Sequence, residues 1–140
     1  MKRTDVQLVS VFLGGTCAGD NWRDELIPLL KIDYFNPVVD NWTEDAQRRE
    51  REQRILSDYI LYVIRTTASA YSIAEAVEDA VKRSTKTIVC VLPFPNAQQD
   101  QKVYEHEKKA LKAIINLIKR NGATICIDLQ EVATYLNQTI

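Results

Sequence analysis

The sequence has one histidine, three cysteines and no long apolar run. His106 lies among lysines and glutamates in KVYEHEKKAL, where we expect a surface residue, so a Ser-His or Cys-His nucleophile pair is not favoured. Cys17, Cys90 and Cys126 form neither a CxxC motif nor an even framework, which argues against a zinc site and a disulfide scaffold. We therefore expect no metal and no cofactor, and carboxylates must carry any acid–base chemistry.

Charge and hydropathy also exclude two classes of partner. The 18 Lys and Arg residues are balanced by 19 Asp and Glu residues, so there is no positive field for nucleic acid or an anionic membrane. The chain lacks a run of about 18 apolar residues that would span a membrane. Its start, MKRTDVQ, lacks the apolar segment of a signal peptide, and the default prediction is a cytoplasmic protein.

Short apolar runs rich in β-branched residues alternate with helical patterns along residues 1–140. The predicted strands are VQLVSVFLGG (6–15), DYFNPVV (33–39), YILYVI (59–64), TKTIVCVLPFP (85–95) and ATICIDL (123–129). The predicted helices cover residues 21–31, 43–57, 72–84, 101–122 and 130–138. This alternation predicts a single α/β domain, a doubly wound five-stranded parallel sheet in the order 2-1-3-4-5 with helices on both faces.

The loops at the carboxyl ends of these strands hold the candidate binding residues, because ligands bind there in open α/β sheets. Glycines after strand one allow a ligand to approach the backbone closely. Trp22 and Trp42 could stack on a base or simply cover the edge of the core, and burial is the commoner role. The candidates are Gly14, Gly15, Thr16, Trp22 and Arg23 after strand one, Asn36, Pro37, Asp40 and Trp42 after strand two, and Ser69, Tyr71 and Ser72 after strand three.

Glu75 has two interpretations. Ser72-Ile-Ala-Glu75 fits the S-x-x-E capping box that precedes an apolar helix, and spacing alone favours a cap because such motifs are common. A carboxylate in the first turn of a helix is also stabilised as its anion by free amides and the helix dipole. An ionised carboxylate at a crevice is what covalent attack on a sugar carbon requires. Capping therefore does not exclude catalysis.

The segment EDAQRREREQR (44–54) is a run of charges for which we expect a solvated helix face. Acid-to-base pairs spaced by four residues stabilise an exposed helix. Three such pairs are present, Glu44–Arg48, Asp45–Arg49 and Glu50–Arg54.

Four segments together resemble one known family. VFLGGT…WRDELIP, YFNPVVDNW, SDYILYVI and YSIAEAVEDA, between residues 7 and about 95, are similar to the nucleoside 2-deoxyribosyltransferase-like family and to its branch of small bacterial and phage-type proteins. The resemblance implies a flavodoxin-like fold and cleavage of the N-glycosidic bond of a nucleoside or nucleotide. Some members transfer the sugar to another base, and others hydrolyse the bond. It also implies a homo-oligomer with sites near subunit interfaces.

The family's functional positions can be carried over onto this sequence. Glu75 stands at the position of the nucleophilic Glu, on the helix after the third strand. Ser69, six residues earlier, matches a position that contacts the sugar or its 5′ substituent. The loop that lines the pocket in the family corresponds to Gly14, Gly15 and Thr16. The resemblance thus implies a site built on the loops after strands one and three.

The acid that assists at the departing base is Asp in the wider family. It stands eight residues before the acidic start of the third strand, and counting back from Asp58 gives Glu50. An acid is therefore retained at this position, although its type differs. Glu50 or Asp40 would help to protonate the base.

Two departures from the family pattern concern the loop around the nucleophile. The residue two positions after Glu75 is often Gly in the family and is Val77 here. Ala70, Tyr71 and Ser72 stand where small glycines commonly occur. These residues predict a narrower or differently shaped pocket, and they motivate an alternative function, a nucleotide-binding or sensing module without turnover.

Overall fold

The computed structural model describes residues 9–17, 20–95 and 100–138. The strands are β1 Ser10–Gly15, β2 Asp33–Phe35, β3 Tyr59–Ile64, β4 Thr87–Val91 and β5 Thr124–Cys126. The helices are α1 Trp22–Leu26, α2 Glu44–Leu56, α3 Ala70–Lys82, α4 Gln101–Arg120 and α5 Leu129–Asn137. All paired strands are parallel, in the order β2-β1-β3-β4-β5. The predicted doubly wound α/β fold is confirmed, and this strand order is the flavodoxin-like one.

Both faces of the sheet are buried, which explains why β1, β3 and β4 are apolar throughout. Side chains alternate between the two faces of a strand. In β3, Leu61 and Val63 therefore pack in the cluster that includes α1 and α5, whereas Ile60, Tyr62 and Ile64 pack in the cluster that includes α3 and α4. The helices on both faces hold β3 rigidly in the centre of the sheet, directly beneath α3.

Three strands are shorter than predicted. β2 ends at Phe35 instead of residue 39, because Pro37 has no N–H to donate to a neighbouring strand. β4 ends at Val91 before its prolines, and β5 comprises three residues. Residues 6–8 of the first predicted strand lie outside the described residues. The early end of β2 frees residues 36–42 to form a loop at the carboxyl edge of the sheet.

Helix ends also differ from the sequence pattern. The predicted helix 21–31 is a short α1 followed by a 3-10 turn, Ile27–Leu29, that contains Pro28. The predicted helix 72–84 begins two residues earlier, at Ala70. The longest helix, α4, has 20 residues but carries many charges, and none of the described helices is both long and apolar enough to cross a membrane.

Candidate active site

A cavity of about 250 Å³ opens at the carboxyl end of β1, between the loops that follow β1 and β2 and the start of α3. This is the edge of the sheet where ligands bind in open α/β folds. The predicted site residues that line it are Gly14, Gly15, Arg23, Pro37, Trp42, Glu50, Tyr71, Ser72 and Glu75. The structure thus brings together residues as distant in the sequence as Gly14 and Glu75.

The mouth of the cavity is apolar. Val38 and Val39, predicted as strand residues, line it because β2 ends at Phe35. Trp42, which is 54% exposed, and Tyr71 also line the cavity, so both aromatic side chains remain accessible to solvent. Exposed aromatic rings at the rim of a pocket are suited to stack on a flat ligand.

Thr16 and Ser69 lie behind the cavity and join two of its loops. Their hydroxyl oxygens are 2.7 Å apart, and the Thr16 hydroxyl also accepts a hydrogen bond from the backbone N–H of Arg65 at 3.0 Å. Neither residue is among the described residues that line the cavity. Their contacts hold the loop after β1 against the start of α3.

Three other predicted residues are also placed away from the cavity lining that the structure describes. Trp22 is 1% exposed and donates its indole N–H to the carbonyl of Thr16 at 2.8 Å, so it is a core residue and not a stacking surface. Asn36 accepts a hydrogen bond from the backbone N–H of Val38 at 3.1 Å, which shapes the loop after β2. Asp40 is exposed.

Gly15 is required by the packing of β1 against β3. Its φ of +123° lies in a region that favours glycine, and a Cβ at this position would lie 2.1 Å from the carbonyl oxygen of Val63. The sequence suggested that this glycine admits a ligand. The structure shows a second reason for glycine at this position, since any side chain would push β1 and β3 apart.

Arg23 lines the cavity, but its donors are used by the backbone. Its Nε and Nη1 donate to the carbonyls of Leu13 and Thr16 at 3.0 Å each, and its guanidinium lies 4.3 Å from the centre of the Trp22 ring. Burial lowers the pKa of Arg23, although Cys17 and Asp20 partly offset this effect. Arg23 therefore braces the loop after β1.

The capping-box interpretation of Glu75 is wrong. Ser69 is the N-cap residue of α3, Ser72 lies inside the helix, and Glu75 is the sixth helical residue, in the second turn. The preceding loop is held by Glu107 of α4, which accepts hydrogen bonds from the Thr66 hydroxyl at 2.7 Å and the Thr67 N–H at 2.8 Å. This tertiary contact accompanies a helix start earlier than the sequence pattern indicated.

Glu75 is instead bound by a buried cation from α2. Its side chain is 11% exposed, and Oε2 accepts a hydrogen bond from Nη1 of Arg54 at 2.5 Å. The same guanidinium donates from Nη2 to Glu78 at 2.5 Å, and its Nε lies 3.4 Å from Asp79. One arginine therefore faces three carboxylates that lie on the same side of α3.

Asp79 anchors this group of charges in the core. It is fully buried, and its Oδ2 accepts a hydrogen bond from the hydroxyl of Tyr62 at 2.6 Å. Its other oxygen lies 3.0 Å from the guanidinium of Arg83. Burial and the neighbouring Asp79 raise the pKa of Tyr62, so this phenol remains protonated and donates. Glu75 is thus connected to the central strand β3 through Arg54, Asp79 and Tyr62.

The pKa of Glu75 is raised to about 7. Burial is the main cause, Glu50 contributes charge repulsion and a hydrogen bond, and Arg54 opposes both. The expectation that a helix start keeps Glu75 as its anion is therefore wrong, because the residue lies in the second turn, beside another carboxyl group. Near neutral pH the Glu50–Glu75 pair retains a proton, as two adjacent carboxyl groups do when they cannot both ionise.

Sequence reasoning did not identify Arg54 as a site residue. The charge run predicted a solvated face, and Arg48 does lie exposed beside Asp45 and Glu52. Glu50 and Arg54 are instead buried. The available signal was the spacing of Glu75, Glu78 and Asp79 on an otherwise apolar helix, since such a cluster needs a cationic partner when it is buried.

No group of three or more His, Cys, Asp or Glu side chains in the described part of the chain is arranged to hold a metal ion. The chemistry offered by the cavity is that of two carboxyl groups, one of them paired with a guanidinium. Carboxyl pairs of this kind serve as nucleophile and proton donor at sugar carbons.

Searches among curated proteins and among solved structures found no match. A family model described as nucleoside 2-deoxyribosyltransferase like matches residues 8–94, more than half of the chain. The matched region includes β1 to β4 and every described residue that lines the cavity. The chain belongs to the nucleoside 2-deoxyribosyltransferase-like family.

Proposed function

We propose that this protein cleaves the N-glycosidic bond of a nucleoside or nucleotide, with Glu75 as the nucleophile and Glu50 as the proton donor. The observation that carries the proposal is the meeting of these two carboxyl groups in one cavity, with Arg54 bound to Glu75. The departing base needs a proton donor, and the anomeric carbon needs an anionic nucleophile. In this proposal, Glu50 and Glu75 supply these two groups within one cavity.

The reaction proceeds in two displacements. An ionised oxygen of Glu75 forms a bond to the anomeric carbon while the N-glycosidic bond breaks and its electron pair stays on the base. Glu50 gives its proton to that base, which leaves neutral, and Glu50 becomes a carboxylate. Water or a second base then attacks the same carbon, Glu50 takes its proton, and the ester to Glu75 breaks. Transfer and hydrolysis differ in the acceptor used in this second step.

Glu50 fits the role of proton donor better than Asp40. Glu50 lines the cavity with Glu75 and contributes to the raised pKa of Glu75, whereas Asp40 is exposed and is not among the described lining residues. A general acid must lie within hydrogen-bond reach of the group that it protonates. In this scheme Glu50 delivers its proton from the side of α2.

The apolar mouth supports binding of an aromatic base. Trp42 and Tyr71 offer ring faces, and Val38 and Val39 supply the adjoining apolar wall. Stacking on such rings is favourable for any base and does not require a particular pattern of donors. Val77, the other departure from the family pattern, packs against the core cluster on the sheet and is not among the described residues that line the cavity.

The test is release of free base. Wild-type protein is incubated with a panel of deoxynucleosides, ribonucleosides, their 5′-monophosphates and NAD, and the products are separated by chromatography. We expect free base from at least one nucleoside or nucleotide, and its loss in Glu75→Gln. Glu52→Gln, which removes an exposed carboxylate from the same helix as Glu50, serves as the control.

The non-catalytic alternative gives a different result in the same experiment. A binding module gains thermal stability with an intact nucleotide, because a ligand that binds the folded state alone stabilises it. Chromatography would then recover that nucleotide unchanged. Thermal stabilisation without any free base across the panel would contradict the enzymatic proposal.

A further inference from the structure

Arg54 has an unusual set of partners for a residue in a charge-rich helix. Its guanidinium contacts Glu75, Glu78 and Asp79, which come from successive turns of α3. Glu50 and Arg54 are four residues apart on α2, so one side of that helix supplies both a carboxyl group and a cation to Glu75. The two groups act on Glu75 in opposite directions, because a like charge disfavours its ionised form and an opposite charge favours it.

The guanidinium is held from the side remote from the cavity. Asp79 is fully buried and lies 3.4 Å from Nε of Arg54, and its own orientation is set by the hydroxyl of Tyr62 and by Arg83. A planar guanidinium with two occupied edges has little freedom to rotate. The position of Nη1, and therefore of the Glu75 oxygen bonded to it, is determined by core residues.

We propose that Arg54 is a positioning residue that fixes one oxygen of Glu75 and favours its ionised form against the repulsion of Glu50. The inference rests on the proposed function, in which Glu75 must be the anion and Glu50 the acid. Without Arg54, the like charge of Glu50 would act on Glu75 with no opposite charge in contact with the Glu75 oxygens.

The charged and titratable groups near Glu75 lie on α2, α3, β3 and the wall of the cavity. Arg54 is the one in direct contact with Oε2, at 2.5 Å. The others are Glu50 on α2, Glu78 and Asp79 on α3 with Lys82 and Arg83 beyond them, Tyr62 on β3, and Arg23 at the cavity wall. Arg23 donates to backbone carbonyls, and Lys82 and Arg83 contact Glu78 and Asp79. Arg54 is thus the cation bonded to Glu75 in the described structure.

A purely structural role would predict a different dependence on pH. If Arg54 only tied α2 to α3, its loss would lower activity by the same factor at every pH. If it sets the charge of Glu75, its loss raises the pKa of that carboxyl group, so activity falls relative to wild type by a larger factor at low and neutral pH than at high pH. Opposite charges at contact distance shift a carboxyl pKa by roughly 1–3 units.

The experiment compares wild type with Arg54→Met and Arg54→Lys, and uses Arg48→Met as the matched control on the exposed side of α2. The titration of Glu75 is followed by NMR of carboxyl-labelled glutamate, with its signal assigned from its absence in Glu75→Gln. The rate of base release is measured across pH 5 to 9. Circular dichroism establishes that each variant is folded.

For Arg54→Met we expect the Glu75 midpoint to rise by one unit or more, with a rate at pH 7 at least tenfold below wild type and a smaller deficit relative to wild type at pH 9. Arg54→Lys should keep the midpoint closer to wild type but lower the maximal rate, because an ammonium cannot hold both edges. Arg48→Met should change neither. A folded Arg54→Met with an unchanged midpoint would overturn the inference.

Arg54→Met leaves the buried Glu75 without its cation and removes one partner of Glu78 and Asp79, so this variant can fail to fold. Arg54→Lys then decides the matter, since wild-type titration together with a wild-type rate in that variant would overturn the positioning role. Failure of the proposed function is separable. If wild type releases no base from any substrate, the proposed function falls, while the NMR titration needs no substrate and still measures whether Arg54 sets the charge of Glu75.

Discussion

The two sides of α2 use the same residue types for different purposes. On the outer side, Arg48 pairs with Asp45 at 2.9 Å, and their side chains are 62% and 84% exposed. On the inner side, Arg54 pairs with Glu75, and their side chains are 9% and 11% exposed. Water and salt screen the outer pair, whereas the inner charges interact at a low local dielectric. The same type of ion pair is therefore weak on the exposed side of α2, whereas on the buried side it acts on the candidate nucleophile.

The largest difference between the two sides should appear in activity. Glu75→Gln should lower base release by several orders of magnitude, because an amide cannot form the covalent ester, while the fold and ligand binding remain. Glu52→Gln, on the outer side, should retain nearly the wild-type rate. Steady-state chromatographic assays of both variants provide the measurement. A Glu75→Gln protein that works at a rate close to wild type would remove Glu75 from the mechanism.

A second comparison separates the inner carboxyl group Glu50 from the exposed Asp40. Glu50→Gln should lower the rate by roughly 10²–10⁴-fold, the usual contribution of a positioned general acid. It should also shift the acid limb of the pH–rate profile downward, because the repulsion that raises the pKa of Glu75 is removed. Asp40→Asn should have little effect on either quantity. The reverse pattern, measured by pH-dependent base release, would assign the proton donor to Asp40.

Stability should distinguish the two arginines. Removal of Arg54 by substitution with Met leaves the buried Glu75 without its cation and should cost about 3–5 kcal/mol of unfolding free energy. Arg48→Met breaks an exposed pair and should cost at most about 0.5 kcal/mol. Urea denaturation at constant pH measures both values. Equal costs for the two substitutions would contradict the contrast between the buried and exposed pairs.

The smallest effect concerns pH and the raised pKa of Glu75. This pKa is about 7 in the folded protein against an ordinary value of 4.5, so the folded state binds more protons than the unfolded state between these values. The contribution of Glu75 to stability must therefore fall as the pH rises through this window. Relative to Glu75→Gln, wild type should lose about 2 kcal/mol between pH 4 and pH 8. Denaturation curves of both proteins at several pH values test the sign; a rising difference would contradict it.

Much of the fold could be predicted because it depends on local patterns. The apolar runs at 59–64 and 87–91 are buried on both faces, and their alternation with helices leads to the parallel order that the structure has. The carboxyl edge of the sheet follows from that order, which explains why Gly14, Glu50 and Glu75 were found near one cavity. The end of β2 and the start of α3 were misplaced. Pro37 follows the end of β2, and a contact between Thr66 and Glu107 of α4 accompanies the earlier start of α3.

Several of the predicted site residues line the cavity, but its electrostatics were not predicted. Glu75 was expected to be an anion at a helix start, and Trp22 had two interpretations, a ring stacked on a base or a residue covering the core. The structure buries Trp22 in the core and sets Glu75 between Glu50 and Arg54. Neither outcome could be obtained from spacing, because each depends on residues that are distant in the sequence.

The sequence by itself determined the strand order and the edge of the sheet that holds the cavity. Periodicity and residue type are sufficient for these two features, since they reflect how each segment buries its own apolar side. Glu50 was assigned to the site only through the resemblance to the family. Only the tertiary structure decided which charges meet. Glu75 and Arg54 are 21 residues apart in the sequence, and they come into contact because the fold brings Arg54 of α2 to the carboxylates of α3. Burial then makes that contact strong, and burial is a property of the whole fold.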